Sequence, residues 1–306
     1  MKLPKRVTFT EVGPRDGLQN ISQFIPTEKK IALIDSLSES GIEYMEVASF
    51  VHPKLVPQMA DAAEVVSGIK RRPETKYLAL VPNAKGAQRA IQYNLDGWGV
   101  FVSATESHNR RNLNASIDET LEGFREVVRM AREVKTPVYC AISMSFGCPY
   151  EGNVPPERVA AISGKLQEIG IQRIILGDTT GMANPCQVEG LTGELLKAYP
   201  EMSFSLHFHD TRGAGLANVM AGILAGADWF EGSVAGLGGC PFAHGATGNT
   251  SSEDMVHMLQ EMGVETGIDL DKLLSSARLA QEIVGTELPS HLLKAGKRSD
   301  LIKTDA

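Results

Sequence analysis

Several things are missing from this chain, and each absence removes a class of protein. No apolar run is long enough to span a bilayer as a helix. The basic start "MKLPKR" leads into "VTFTEV", which alternates like a strand, so the apolar core of a signal peptide is missing too. Cysteines are few and scattered, at Cys140, Cys148, Cys186 and Cys240, with no C-x-x-C pair. Neither a structural zinc site nor a disulfide framework is expected, and the chain reads as a reduced, cytoplasmic protein. An excess of positive charge is also lacking: 30 Lys and Arg stand against 37 Asp and Glu, a net charge of −7. That excludes a nucleic-acid footprint. Finally, no G-x-G-x-x-G turn follows the first strand, which leads into "GPRDGLQN" instead. This argues against a dinucleotide-binding open sheet.

What is present is an ordinary globular composition, 42% hydrophobic and 22% charged over 306 residues. Short β-rich runs alternate with longer helical ones. Strands are expected at 6–12, 44–49, 77–82, 97–103, 137–143, 173–178, 203–209 and 229–235. Helical patterns lie between them. In 27–41, Ile31, Leu33, Ile34 and Leu37 form one stripe and Gly41 supplies the stop. Residues 115–134 and 155–170 read the same way. Thr250 and Glu253 stand at capping-box spacing before another helix. Eight βα units predict a (β/α)8 TIM barrel with an extra C-terminal helical segment at about 270–284. The expected division is a catalytic barrel over 1–285 and a polar, loosely held tail over 286–306.

A barrel of this kind works at the carboxyl ends of its strands. Those ends collect Arg15, Asp16 and Gln19 after the first strand and Glu46 on the second. Ser143 and Ser145 follow the fifth, Asp178 the sixth, and His207, His209 and Asp210 the seventh. In "SLHFHD", His207 and His209 are spaced i, i+2, so both imidazoles leave one face of a strand and can reach one point. With Asp16 they suit a divalent metal. Asp178 fits equally a helix cap and a functional acid. After the last strand comes "GLGGCPFAHGATGN", whose five glycines permit close backbone approach to a ligand. Cys240 inside it reads as a chemical group rather than packing, and Asn249 at its end can offer an amide oxygen to a hard metal.

The stretches "EVGPRDGLQN", "FVHPKLVPQM", "GCPYEG", "GDTTG", "HFHDT" and "SVAGLGGCPFAHGATGN" resemble the motifs of the 3-hydroxy-3-methylglutaryl-CoA lyase family. The likeness runs from about residue 6 to residue 275, and the cysteine loop is its most specific part. It places the chain within the wider metal-dependent acyl-CoA lyases and condensing synthases. The resemblance implies Mg2+ or Mn2+ held by Asp16, His207, His209 and Asn249, an acyl-CoA substrate, and a homodimer. Arg15 would stabilise the enolate of the departing acetyl-CoA, and Cys240 would protonate the enolate carbon. Asp16 or His207 would take the 3-hydroxyl proton. Gln19, Glu46 and Asp178 would support the site. The implied reaction is retro-Claisen cleavage of 3-hydroxy-3-methylglutaryl-CoA to acetyl-CoA and acetoacetate, as in leucine degradation. A Schiff-base aldolase would need a strand-end lysine, and none stands there.

Arg212 follows "HFHDT" where the familiar lyases carry a tyrosine, and His52, His108 and His244 are also unusual. Arg212 reads either as a solvated arginine paired with a carboxylate or as a cation facing the acyl group. These departures leave open a paralogous lyase acting on a citramalyl-like or longer glutaryl-CoA thioester. A condensing synthase and a non-catalytic barrel are remoter readings. The cysteine loop speaks against the first, and the intact set of site residues against the second.

Overall fold

Strand Gly97–Ser103 shows how the sequence builds the barrel wall. Gly97 and Gly99 face the interior, where a Cβ on either would run into Leu78 or Tyr139. Trp98 and Val102 alternate with them and are buried on the opposite face, toward the helices. The computed structural model describes residues 3–239 and 248–301. All eight expected strands form: β1 (Thr8–Glu11), β2 (Tyr44–Ser49), β3 (Lys76–Leu80), β4 (Gly97–Ser103), β5 (Val138–Ser143), β6 (Arg173–Asp178), β7 (Ser203–Phe208) and β8 (Trp229–Gly232). They pair in chain order, parallel throughout, and β8 closes on β1.

Helices cover the outside. Ile117–Glu133 is opened by a capping box in which Ser116 and Glu119 satisfy each other's backbone N–H groups. It buries Leu121, Phe124, Val127, Val128 and Ala131 at helical spacing. The main apolar core lies between helices and strands. A smaller one, Leu78, Tyr139 and Ile175, fills the barrel interior beside Tyr44 and Ala141.

The amino-terminal end of the barrel is closed by a cation among rings. Arg173, Tyr44 and Trp229 are each the first residue of their strands. The guanidinium carbon of Arg173 lies 3.8 Å from the Trp229 ring centre, 4.9 Å from Tyr139 and 5.2 Å from Tyr44. Both Arg173 Nη2 and Trp229 Nε1 donate to Thr10 Oγ1, at 3.2 and 2.9 Å.

Three features differ from the sequence reading. The helix Ser252–Glu261 is capped by Ser251, whose hydroxyl accepts from Asp254 N at 3.3 Å. Thr250 stays with the barrel, its hydroxyl donating to Phe208 O at 3.0 Å. Glu253 points inward and accepts from Ala235 N at 3.0 Å. Residues 288–292 are not loosely held. Leu288, Ser290 and Leu292 are buried, and the Asp254 carboxylate accepts from His291 N and Leu292 N, both at 2.8 Å, capping the short helix His291–Ala295. The segment after β4 also forms a helix, Glu106–Leu113; its residues carry too little apolar periodicity to reveal it.

Candidate active site at the carboxyl ends of the strands

Directly after β1 the chain makes one wide π-type turn, Gly13–Gly17, with Pro14 in its first positions where no N–H is needed. Buried Glu11 ties it down, accepting from Gly13 N at 2.7 Å and from Val234 N at 2.8 Å. It also accepts from the Ser252 hydroxyl. Burial pushes the Glu11 carboxyl up to about 8. The turn delivers Arg15 and Asp16 side by side. Arg15 Nη1 donates to Asp16 Oδ1 at 2.7 Å, and Arg15 Nε donates to Glu46 Oε2. The other Glu46 oxygen accepts from the Tyr139 hydroxyl at 2.7 Å. Burial works against the Arg15 charge, but Glu46 and Asp16 outweigh it and raise its pKa. Burial likewise opposes ionisation of Asp16, yet Arg15, His207 and His209 hold its carboxyl down at about 2.

The two imidazoles converge as the i, i+2 spacing requires. Their ring centres are 5.2 Å apart. Ligand atoms of Asp16, His207 and His209 all lie within 4.8 Å of one another. His207 Nδ1 is 3.2 Å from Glu231 Oε2. Burial lowers the basicity of His209 to about 3, so this ring is neutral with a free lone pair. Asn249 pairs with His209 in an isolated bridge. Its Nδ2 donates to Asp16 Oδ2 at 2.9 Å and to Leu237 O at 3.0 Å. Gly238, at φ +137°, lets the loop pass here, since a Cβ would fall 2.5 Å from Asn249 Nδ2. Among the described residues, Asn249 Oδ1 and His209 Nδ1 are buried without a hydrogen-bond partner. Unsatisfied acceptors beside an ionised carboxylate fit a hard divalent cation with mixed oxygen and nitrogen ligands.

Arg15, Asp16, His207, His209 and Glu231 line a cavity of about 410 Å³ in the mouth and upper interior of the barrel. Gln19, Glu46, Tyr139, Ser143 and Thr179 share its wall, as does His108. Asp178 is only 2% exposed; its Oδ1 accepts from Met182 N at 2.7 Å and Ala183 N at 3.0 Å, and burial pushes its carboxyl up to about 7. It therefore shapes the turn after β6. Arg212 is not in the cavity wall. Its Nη1 donates to Thr180 O and Gly181 O, both at 2.8 Å, bracing the loop after β6 from the loop after β7. His52 is exposed, with Nδ1 accepting from Lys54 N at 3.2 Å. Ser145 donates to Ile142 O at 2.6 Å. Cys240 and His244 lie outside the described residues. Sequence reasoning missed Tyr139, Glu231 and Glu11. The first two were detectable only as polar residues at inward positions of otherwise apolar strands.

A closed (β/α)8 barrel with its polar groups gathered at the strand carboxyl ends is the architecture of a barrel enzyme. Comparison with known proteins narrows this. The model of the HMGL-like family matches residues 6–280, and the chain belongs to that family. It is 46% identical to the hydroxymethylglutaryl-CoA lyase YngG of Bacillus subtilis, covering 98% of this chain and 100% of that one. It is 44% identical to a 3-hydroxy-3-isohexenylglutaryl-CoA/hydroxymethylglutaryl-CoA lyase of Pseudomonas aeruginosa, over 96% of this chain and 98% of that one. An HMG-CoA lyase structure from A. baumannii, in complex with coenzyme A and 3-methylmalate, superposes with a TM-score of 0.94 at 42% identity, covering 98% of each chain.

Proposed function

We propose that this chain is a metal-dependent carbon–carbon lyase that cleaves 3-hydroxy-3-methylglutaryl-CoA to acetyl-CoA and acetoacetate. The observation that carries the reading is the junction of Arg15 and Asp16 with His207 and His209 at one wall of the cavity. Asp16, His207, His209 and the Asn249 amide oxygen would hold Mg2+ or Mn2+. When bound, the cation supplies Lewis-acid polarisation of the substrate's 3-hydroxyl and carboxylate oxygens. The Asp16 carboxylate, ionised near neutrality, takes the hydroxyl proton. The C2–C3 bond then breaks, its electrons passing into the thioester as an enolate while C3 becomes the ketone. Arg15, locked between Asp16 and Glu46, presents a permanent cation to that enolate oxygen. The Cys240 thiol returns a proton to C2. Glu46 and Asp178 act indirectly, one fixing Arg15 and the other the turn after β6. Gln19, on the cavity wall, contacts the substrate. The acyl-CoA assignment draws support from the coenzyme A complex of the A. baumannii relative. The same reading expects a homodimer, and a cytoplasmic one, its bacterial relatives supporting the location alone.

A second reading keeps this chemistry and lengthens the acyl group. It is favoured by the apolar part of the cavity wall, Leu78, Leu80, Val100 and Ile175, and by the broader substrate name of the P. aeruginosa relative. One panel tests both. Metal-depleted protein receives Mg2+ or Mn2+ with methylglutaryl, isohexenylglutaryl and citramalyl thioesters, and acetyl-CoA and its partner acid are quantified. Cys240→Ser is expected to slow turnover about 10²-fold or more, the usual contribution of a general acid. No acetyl-CoA from any thioester, or turnover indifferent to chelation and to Asp16→Ala, would refute the proposal.

A further inference from the structure

His207 on β7 and Glu231 on β8 are register partners on adjacent strands, and both line the cavity inside the barrel. Glu231 is 4% exposed. One oxygen, Oε2, lies 3.2 Å from His207 Nδ1, and the other, Oε1, lies 3.8 Å from Arg173 Nη2. Arg173 cannot easily turn away, because three aromatic rings wall it in and Thr10 takes one of its N–H groups. The carboxylate is thus held between a fixed cation and an imidazole.

An ionised carboxylate only accepts hydrogen bonds. With the Arg173 guanidinium at its other oxygen, the Glu231 carboxylate is placed as the acceptor, which assigns the proton of this contact to His207 Nδ1. The opposite tautomer would set two acceptors against each other. With Nδ1 committed, Nε2 is the nitrogen left to offer a lone pair. His209 has no such partner; its Nδ1 is buried and unsatisfied among the described residues. The two imidazoles are therefore not equivalent. One has a carboxylate behind its Nδ1, and the other has none among the described residues.

We propose that Glu231, anchored by Arg173, is a positioning residue that fixes the tautomer and ring orientation of His207, so that Nε2 faces a divalent cation shared with Asp16 and His209. This rests on the cation reading of the site. A carboxylate behind a ligating histidine raises its basicity and fixes its direction, and losing such a partner typically weakens metal affinity 10–100-fold.

Two measurements on the full-length apo-protein test it. In the first, histidine-labelled protein is examined by long-range 1H–15N correlation, with His207 assigned through His207→Asn. Wild type is expected to show the Nδ1–H form, and Glu231→Ala to lose it. In the second, Mn2+ is titrated and free ion followed by electron paramagnetic resonance. Glu231→Gln and Glu231→Ala are expected to bind about 10–100-fold more weakly than wild type, with Arg173→Met showing a smaller loss. Excess Mn2+ should restore much of the turnover of Glu231→Gln, which a misfolded variant would not allow. An unchanged His207 tautomer in Glu231→Ala, or Mn2+ affinity within twofold of wild type in both Glu231 variants, overturns the proposal and leaves the lyase reading standing. If wild type takes up no Mn2+, the cation reading falls with it, whatever the tautomer shows.

Discussion

Replacing Gly99 by alanine adds a single methyl group at a tight point of the barrel interior. Its Cβ would stand 2.7 Å from Tyr139 Cζ and hydroxyl oxygen and 2.8 Å from Cε2. Reaching ordinary contact near 3.4 Å requires a shift of roughly 0.7 Å by the ring or by β4. The ring has little freedom. Tyr139 is 4% exposed, its hydroxyl donates to Glu46 at 2.7 Å, and its face lies against Arg173. Overpacking a tight core costs about 1–3 kcal/mol. A hydrogen bond to a charged group adds roughly 1.5–3 kcal/mol if wholly lost. Movement that relieves one cost incurs the other, so the expected loss is about 2–4 kcal/mol rather than their sum. The consequence for catalysis runs through Glu46, which holds Arg15 Nε. Urea unfolding gives the stability term, and kcat gives the effect on Arg15. Gly99→Ala is expected to lower both. Tyr139→Phe should lower kcat with the smaller stability loss, because it removes the hydroxyl without crowding. Combining Gly99→Ala with Tyr139→Leu should be less destabilising than the two changes summed, by at least about 1 kcal/mol, as for residues in contact. A neutral Gly99→Ala, or an additive cycle, would refute the account of why glycine stands there.

Glu253 supplies a pH test. Burial and the neighbouring Asp254 carboxylate push its pKa from about 4.5 up to about 7, and buried Glu11 is shifted in the same direction. The folded form keeps the proton that the unfolded chain gives up, so the stability from this group is lost as pH rises from about 4.5 to about 7. Glu253→Gln should therefore gain on wild type in urea midpoint between pH 5 and pH 7.5, and parallel pH curves would contradict it. Arg212→Tyr removes two donations to backbone carbonyls, worth roughly 1.5–3 kcal/mol each for a charged donor and less where solvent reaches it. It should lower stability and leave the ranking of acyl-CoA substrates as it was. A changed ranking of kcat/KM values would restore the substrate-facing role considered from the sequence.

The strands were legible because each is short, apolar and bounded by turn residues. The site was legible because in a barrel the chemistry sits where strands end. Asp16, His207 and His209 met these rules and come together as expected. Tyr139 did not, because it stands near the amino-terminal start of β5; Glu231, level with His207 on the neighbouring strand, becomes conspicuous only once the inward face is fixed. Arg212 misled in another way. Its place after the histidine motif is near the mouth, but its direction depends on two carbonyls in a different loop, and sequence spacing carries no such information. Ser251 caps the helix in place of Thr250, whose hydroxyl is turned toward Phe208 O on β7, a placement that spacing alone does not reveal.

The ring-walled guanidinium at the amino-terminal end turns the barrel into a blind vessel. Arg173, Tyr44, Trp229 and Tyr139 act as a stopper, so the wide end is the traffic route for substrate, product and water alike. In the proposed reaction, a long thioester lying in that neck would cut the protons exchanged between Asp16 and the acyl group off from bulk solvent. Isotope washed in from heavy water would then enter the product during the open part of the cycle, before the thioester seals the neck or after it leaves.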